Sequence, residues 1–118
     1  MIEIPGGICA AKGFRASGVH CGIRKNHSKR DLALIVSDVR CSAAACYTTN
    51  KVFGAPIVVD RLHLLDGYAQ AILVNSGNAN TCAPGGVQLA LDTCDLATLW
   101  LTDVPSFRLI LNFSLLYN

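Results

Sequence analysis

The sequence predicts a mixed α/β domain built mainly of strands. Two observations carry that expectation. Apolar runs at 32–36, 57–59 and 69–75 are short, rich in β-branched and aliphatic residues, and bounded by polar residues, proline or glycine, as strands are. Toward the other end Val87, Leu91, Cys94, Ala97 or Thr98, and Leu101 recur at helical spacing, with Gln88, Asp92 and Asp95 available to the opposite face.

Taken in order, Phe14, Ala16, Gly18, His20 and Gly22 alternate with Arg15, Ser17, Val19, Cys21 and Ile23, which predicts a first strand over 14–23. Arg24, Lys25, Lys29 and Arg30 then surround Asn26, His27 and Ser28. With no aromatic residue interleaved for base stacking, this stretch reads as a solvated hairpin turn and not as a nucleic-acid surface. The run 32–36 between Asp31 and Asp38 has the length of a central strand covered on both faces, and pairing through the basic turn makes a hairpin. A strand is also expected from Ala45 through Tyr47-Thr48-Thr49, although Ser42, Ala43, Ala44 and Ala45 would also suit one helical turn.

Ile57-Val58-Val59 predicts another strand, with Pro56 at its start or on a sheet edge. Residues 61–66 read as a short helical segment ended by Gly67, a favoured residue just past a helix C-terminus. The strand 69–75 follows, then a loop, then the amphipathic helix, which Asp103-Val104-Pro105 ends. The apolar stretch 107–117 is not expected to cross a membrane, because Asp103 and Arg108 interrupt the window of about 20 apolar residues that a span needs.

A chain of 118 residues fits a single domain. Its hydrophobic share of 52% against 15% charged is more apolar than an ordinary soluble domain, so it is expected to hide surface against a further segment. Ten basic and eight acidic residues are too balanced to predict a nucleic acid or an anionic membrane as partner. Met1-Ile2-Glu3-Ile4-Pro5 has neither the pattern of a secretory signal nor that of an Arg-rich organelle leader, so a cytoplasmic protein with reduced thiols is expected. Cys9, Cys21, Cys41, Cys46, Cys82 and Cys94 contain no CxxC pair, and His20, His27 and His63 do not stand at zinc-finger spacing from them. No metal site is therefore expected, and the thiols read as small hydrophobes.

Ala71-Ile72-Leu73-Val74 opens directly into Asn75-Ser76-Gly77-Asn78-Ala79-Asn80. Gly77 tolerates positive φ and Asn visits the left-handed region readily, so successive backbone N–H groups can converge into an anion-binding concavity. An Asn-rich turn that satisfies only its own backbone is the alternative. A dinucleotide loop is not indicated, since Gly77, Gly85 and Gly86 do not form GxGxxG.

Four stretches stand in a telling order: Gly6-Gly7-Ile8-Cys9-Ala10-Ala11-Lys12-Gly13-Phe14; Asp31-Leu32-Ala33-Leu34-Ile35-Val36-Ser37-Asp38; Tyr47-Thr48-Thr49-Asn50 with Ala55-Pro56-Ile57-Val58-Val59; and the Asn-rich loop. Over about residues 5–82 the chain resembles the N-terminal part of the bifunctional ornithine acetyltransferase / glutamate N-acetyltransferase family of arginine biosynthesis. The resemblance implies a layered sandwich with mainly antiparallel strands, of which this chain would be an incomplete part. It implies transfer of an acetyl group from N-acetylornithine to glutamate through an acyl-enzyme, with acetyl-CoA a donor for some members and no resident cofactor. It also implies the C-terminal half of a self-cleaving precursor as partner, small-molecule substrates, and oligomeric assembly.

The resemblance also marks what this chain departs from. Where the family continues with Thr-Gly, whose hydroxyl and N–H form the oxyanion hole, this chain has Ala83-Pro84 after Thr81 and Cys82. Ala83 has no hydroxyl and Pro84 no N–H, and losing even one such donor costs about 100- to 1,000-fold in rate. The family's nucleophile is a Thr freed by cleavage in an Ala-Thr-Met-Leu context, which these residues do not contain, nor do they contain the later STGVIG motif. No catalytic residue is therefore assigned, and the chain is not expected to be active by itself. Asn75, Ser76, Gly77, Asn78, Asn80, Thr81 and Cys82 are expected to form the neighbourhood of the hole. The stretch 83–118 reads as a divergent tail, truncated or frame-shifted. A small α/β domain that binds an anion or a partner without catalysis is the alternative.

Overall fold

The computed structural model describes residues 2–101 and 109–112. A 3-10 turn at Gly7–Ala10 leads into strand β1 (Phe14–Val19), followed by β2 (Leu32–Ser42), helix α1 (Ala55–His63), β3 (Tyr68–Asn75), α2 (Gly86–Trp100) and β4 (Leu109–Asn112). The strands form one sheet in the order β1-β2-β3-β4. β1 and β2 pair antiparallel from Phe14↔Ser37 to Val19↔Leu32, which is the hairpin the sequence predicts. β2 and β3 are also antiparallel, from Leu32↔Asn75, and β4 lies parallel to β3. The fold is thus mixed α/β with mainly antiparallel pairing, as expected.

Side-chain alternation puts Leu32, Leu34 and Val36 of β2 and Ala71 and Leu73 of β3 on the face that packs against the helices. Val36, Ala71 and Leu73 form the buried centre with Val59 of α1 and with Ala90 and Cys94 of α2. Val59 is fully buried, a contribution of about 1.5–3 kcal/mol for a side chain of this size. Burial, reinforced by the charges of Asp60 and Asp95, pushes the Cys94 thiol up to about 12, so it packs as a small neutral group. On the opposite face Phe14, Ile35 and Ile72 line an apolar hollow of about 180 Å³. Among the described residues β2 is therefore central but covered by helices on one face, where the sequence had indicated both.

Two predicted strands are not strands. Ile57-Val58-Val59 lies inside α1, with Pro56 in its first turn. The ring fixes φ near the helical value, and the lost N–H is one that has no intrahelical partner there. Pro56, Ile57, Val59 and Asp60 form the buried stripe, so packing against the sheet overrides the weak strand preference of β-branched residues. The helix expected over 61–66 is the end of this same element, and Gly67, at φ +73°, follows three residues past its C-cap Leu64 and donates to the Leu64 carbonyl. The segment from Ala45 to Asn50 has no regular structure.

Other boundaries moved for visible reasons. β1 stops at Val19, whose carbonyl accepts the Asp31 N–H at 2.9 Å, and the chain turns away before Ile23. β2 runs beyond Val36 to Ser42 through a register shift between Val36 and Cys41, where the Ser37 hydroxyl accepts the Val39 N–H. The amphipathic helix appears as α2. Its expected end at Asp103-Val104-Pro105 lies outside the described residues, as does most of the apolar stretch 107–117. Among the described residues no helix is long and apolar enough to cross a membrane.

Candidate functional site

β3 ends at Asn75, and the loop that follows meets the starts of both helices. Ala55 at the head of α1 donates its N–H to the Asn80 carbonyl at 3.1 Å, and Thr81 forms a bridge with Gly54, the residue capping α1. α2 begins at Gly86, where an added Cβ would stand 3.0 Å from that of Ala55 and 3.3 Å from that of Ala83. Neither helix has a side-chain N-cap. In the first turn of α1 Pro56 has no N–H and the Ala55 and Ile57 amides are taken by the Asn80 and Gly54 carbonyls, so any first-turn amides open to the loop belong to α2.

Within the loop the asparagines bond to one another. Asn78 Nδ2 donates to Asn80 Oδ1 at 2.9 Å, and Asn80 Nδ2 donates to Asn75 Oδ1 at 3.1 Å. Asn78 Oδ1 is buried with no partner. Gly77 sits at φ +106° and Cys82 at φ +56°, the latter an uncommon conformation for a residue with a side chain. Thr81 and Cys82 are exposed. The Ala83 carbonyl accepts the Gly86 N–H at 3.0 Å, and Pro84 lies in the turn before α2. The structure therefore brings the residues from Asn75 to Pro84 together at the junction of β3, α1 and α2. At the two positions where the resemblance places oxyanion donors, Ala83 has no side-chain hydroxyl and Pro84 no N–H.

A half-open cavity of about 460 Å³ lies on the α1 side of this junction, lined by Tyr47, Thr48, Asn50, Phe53, Asp60 and Thr81 among others. The Tyr47 hydroxyl is buried there without a partner, and burial, with the Asp60 charge, raises its pKa above the ordinary tyrosine value. Arg61 stacks over both the Tyr47 and the Phe53 rings. Cys9, Cys21, Cys41, Cys46, Cys82 and Cys94 are all free thiols, and the described residues contain no cluster of three His, Cys, Asp or Glu groups able to hold a metal.

Sequence reasoning missed the group that fixes the loop from behind. Asp31 is 2% exposed, and its carboxylate accepts the backbone N–H of Cys21 at 2.7 Å and of Arg24 at 2.9 Å. His20 Nδ1 lies 3.0 Å from the same carboxylate and 3.2 Å from the Lys29 carbonyl, so this nitrogen carries a proton and donates. Burial alone would raise the Asp31 pKa, but the hydrogen bonds from Arg24 and Cys21, helped by His20, outweigh it and hold the carboxyl well below the usual range. The Asp31 carbonyl accepts the Ser76 N–H at 2.9 Å, and Arg24 Nη2 donates to Ser76 Oγ. The basic stretch is thus not a freely solvated turn, since Arg24 leaves it to reach the Asn-rich loop. The signal available in the sequence was an aspartate at the very head of a buried strand.

This arrangement defines a layered α/β protein whose candidate site is a strand-end loop. A family model described as ArgJ matches residues 15–108, and the chain belongs to the ArgJ family. It is 42% identical over 102 residues to the chloroplastic arginine biosynthesis bifunctional protein ArgJ of Ricinus communis, covering 84% of this chain and 22% of that protein. Against the ArgJ protein of Caldanaerobacter subterraneus it is 49% identical over 81 residues, 69% of this chain and 18% of the relative. The crystal structure of the Bacillus halodurans ArgJ protein superposes with a TM-score of 0.81 at 35% identity, covering 91% of this chain and 56% of that one. Ornithine acetyltransferase from Mycobacterium tuberculosis, solved in complex with ornithine, gives a TM-score of 0.75 at 31% identity, covering 92% and 59%. The chain spans about a fifth of the length of these two sequence relatives.

Proposed function

We propose that these residues form part of the framework of a glutamate N-acetyltransferase / ornithine acetyltransferase, the enzyme that moves an acetyl group from N-acetylornithine, or from acetyl-CoA, to glutamate without a resident cofactor. The observation that carries this reading is the placement of 75–84: the loop sits where β3 meets the starts of α1 and α2, and the start of α2, which has no side-chain cap, favours developing negative charge. The residues do not act alone, because Ala83 and Pro84 remove the hole's two donors and no Ala-Thr-Met-Leu segment supplies a nucleophile. A downstream half of the protein, oligomeric assembly and a cytoplasmic location go with this reading.

The purified chain, given N-acetylornithine and glutamate, is expected to form no N-acetylglutamate. With a downstream half carrying the nucleophile segment, exchange is expected to appear only when Ala83→Thr and Pro84→Gly are also made. Exchange by the unmodified chain alone would overturn the proposal. A second reading is an anion-holding loop without chemistry, favoured by Gly77 at φ +106° in a turn whose side chains bond mainly to one another. Saturable binding of N-acetylornithine or glutamate to the chain, with no turnover even after the double replacement, would select it. Localisation of a tagged full-length protein tests the cytoplasmic assignment, as the Ricinus communis relative is chloroplastic. Resequencing the locus tests the tail from Ala83: an uninterrupted alternate frame that restores Thr-Gly and the downstream Ala-Thr motif makes it a frame-shift artefact, and the lack of one makes it a real divergent end.

A further inference from the structure

We propose that Arg24 is a positioning residue that locks the loop from Ser76 to Cys82, and that Gly77 is the other half of the lock. Solvation would let an arginine in a basic turn satisfy all five of its N–H groups with water. Arg24 does otherwise. Its side chain is half-buried, its Nη2 donates to Ser76 Oγ, and its Nε is buried with no acceptor. Among the described residues no carboxylate pairs with its guanidinium, because the nearby Asp31 is occupied by the backbone N–H groups of Cys21 and Arg24 and by His20.

The stem of the same side chain lies flat across the loop. A Cβ added to Gly77 would stand 2.5 Å from Arg24 Cγ and 3.5 Å from Arg24 Nε. Glycine at 77 therefore answers two demands at once: a left-handed φ of +106° and room for the arginine stem. The backbone of the loop is held on the same side, by the Ser76 N–H on the Asp31 carbonyl. One buried carboxylate thus sets the backbone at 21 and 24, and Arg24 carries that rigidity to the strand-end loop. Its significance for acetyl transfer rests on the reading that this loop is the site loop, whereas the lock itself does not.

Amide hydrogen exchange of the whole chain tests it without any turnover assay. Arg24→Met keeps the stem and both Asp31 backbone bonds, and is expected to speed exchange at Ser76–Cys82 by about tenfold, the scale of one lost charge-assisted hydrogen bond, while amides of β3 keep their rates. Arg24→Lys restores a cationic donor and is expected to recover most of the protection. Ser76→Ala, a milder change, is expected to reproduce the Met effect, and the Arg24→Met/Ser76→Ala pair to be no worse than Arg24→Met alone. Loop exchange within twofold of wild type in both single variants, no recovery with Lys, or strictly additive effects would each overturn the lock. Unchanged exchange would leave the acetyltransferase reading standing, and failure of the acetyl-transfer experiment would leave the lock standing.

Discussion

The connection between β1 and β2 and the connection between β2 and α1 are organised differently. Residues 20–31, between β1 and β2, fold around the Asp31 carboxylate, which takes two backbone N–H groups and a histidine. Residues 43–54, between β2 and α1, instead wrap a half-open cavity whose floor includes the buried Asp60 of α1. Their described tethers include the Ala43 N–H on the Gly67 carbonyl, the Asn50 N–H on the Thr48 hydroxyl, the Ile57 N–H on the Gly54 carbonyl, the Gly54–Thr81 bridge, and the stacking of Arg61 on Tyr47 and Phe53. The first connection buries a charge and satisfies it. The second buries the Tyr47 hydroxyl and leaves it unsatisfied. A buried acceptor aimed at several backbone donors orders a loop firmly, because removing it strands every donor at once.

The largest effect expected from this contrast is at Asp31. Asp31→Ala leaves the Cys21 and Arg24 N–H groups and His20 Nδ1 without their acceptor, and is expected to lower Tm by roughly 10 °C in a thermal melt. An equal loss from Tyr47→Ala would break the comparison. Gly77→Ala comes next, at about 1–3 kcal/mol in denaturant unfolding, from a strained φ together with contact on Arg24. Combining it with Arg24→Ala is expected to cost less than the sum, since the second change removes the atom the new Cβ meets.

The pH dependence follows from the same carboxylate. Its pKa is lower in the folded chain than in the unfolded one, where about 3.9 is usual, so the ionised form favours folding. That contribution is intact above the unfolded value and is lost as pH falls below it through the lower folded value. Unfolding measured from pH 6 downward is expected to show this added acid sensitivity in the wild type and a shallower slope in Asp31→Asn. At the small end, Arg61→Ala is expected to cost about 0.5–1 kcal/mol through the lost stacking. Tyr47→Phe is expected to change stability by less than about 0.5 kcal/mol, or to raise it slightly, because the hydroxyl removed has no partner. A large loss from Tyr47→Phe would reveal a bond at that hydroxyl and erase the contrast.

Much of this was legible in the residues themselves. The β1–β2 hairpin, β3, and α2 follow from alternation, from a short apolar run and from helical spacing, since in each case local pattern and tertiary burial agree. The order of four motifs identified the family with no coordinates needed.

Only the tertiary structure decided the rest. Ile57-Val58-Val59 and Ile72-Leu73-Val74 have nearly the same composition, yet the first is helix and the second strand. Neither run chooses by itself, because strand and helix preferences differ by fractions of a kcal/mol while burying one face is worth several. The clamp from Asp31 through Arg24 to Ser76 joins residues 45 and 52 positions apart, and no local pattern encodes it. Chain order and motif content are properties of the sequence, but which donor meets which acceptor across the sheet is settled only when the strands pair.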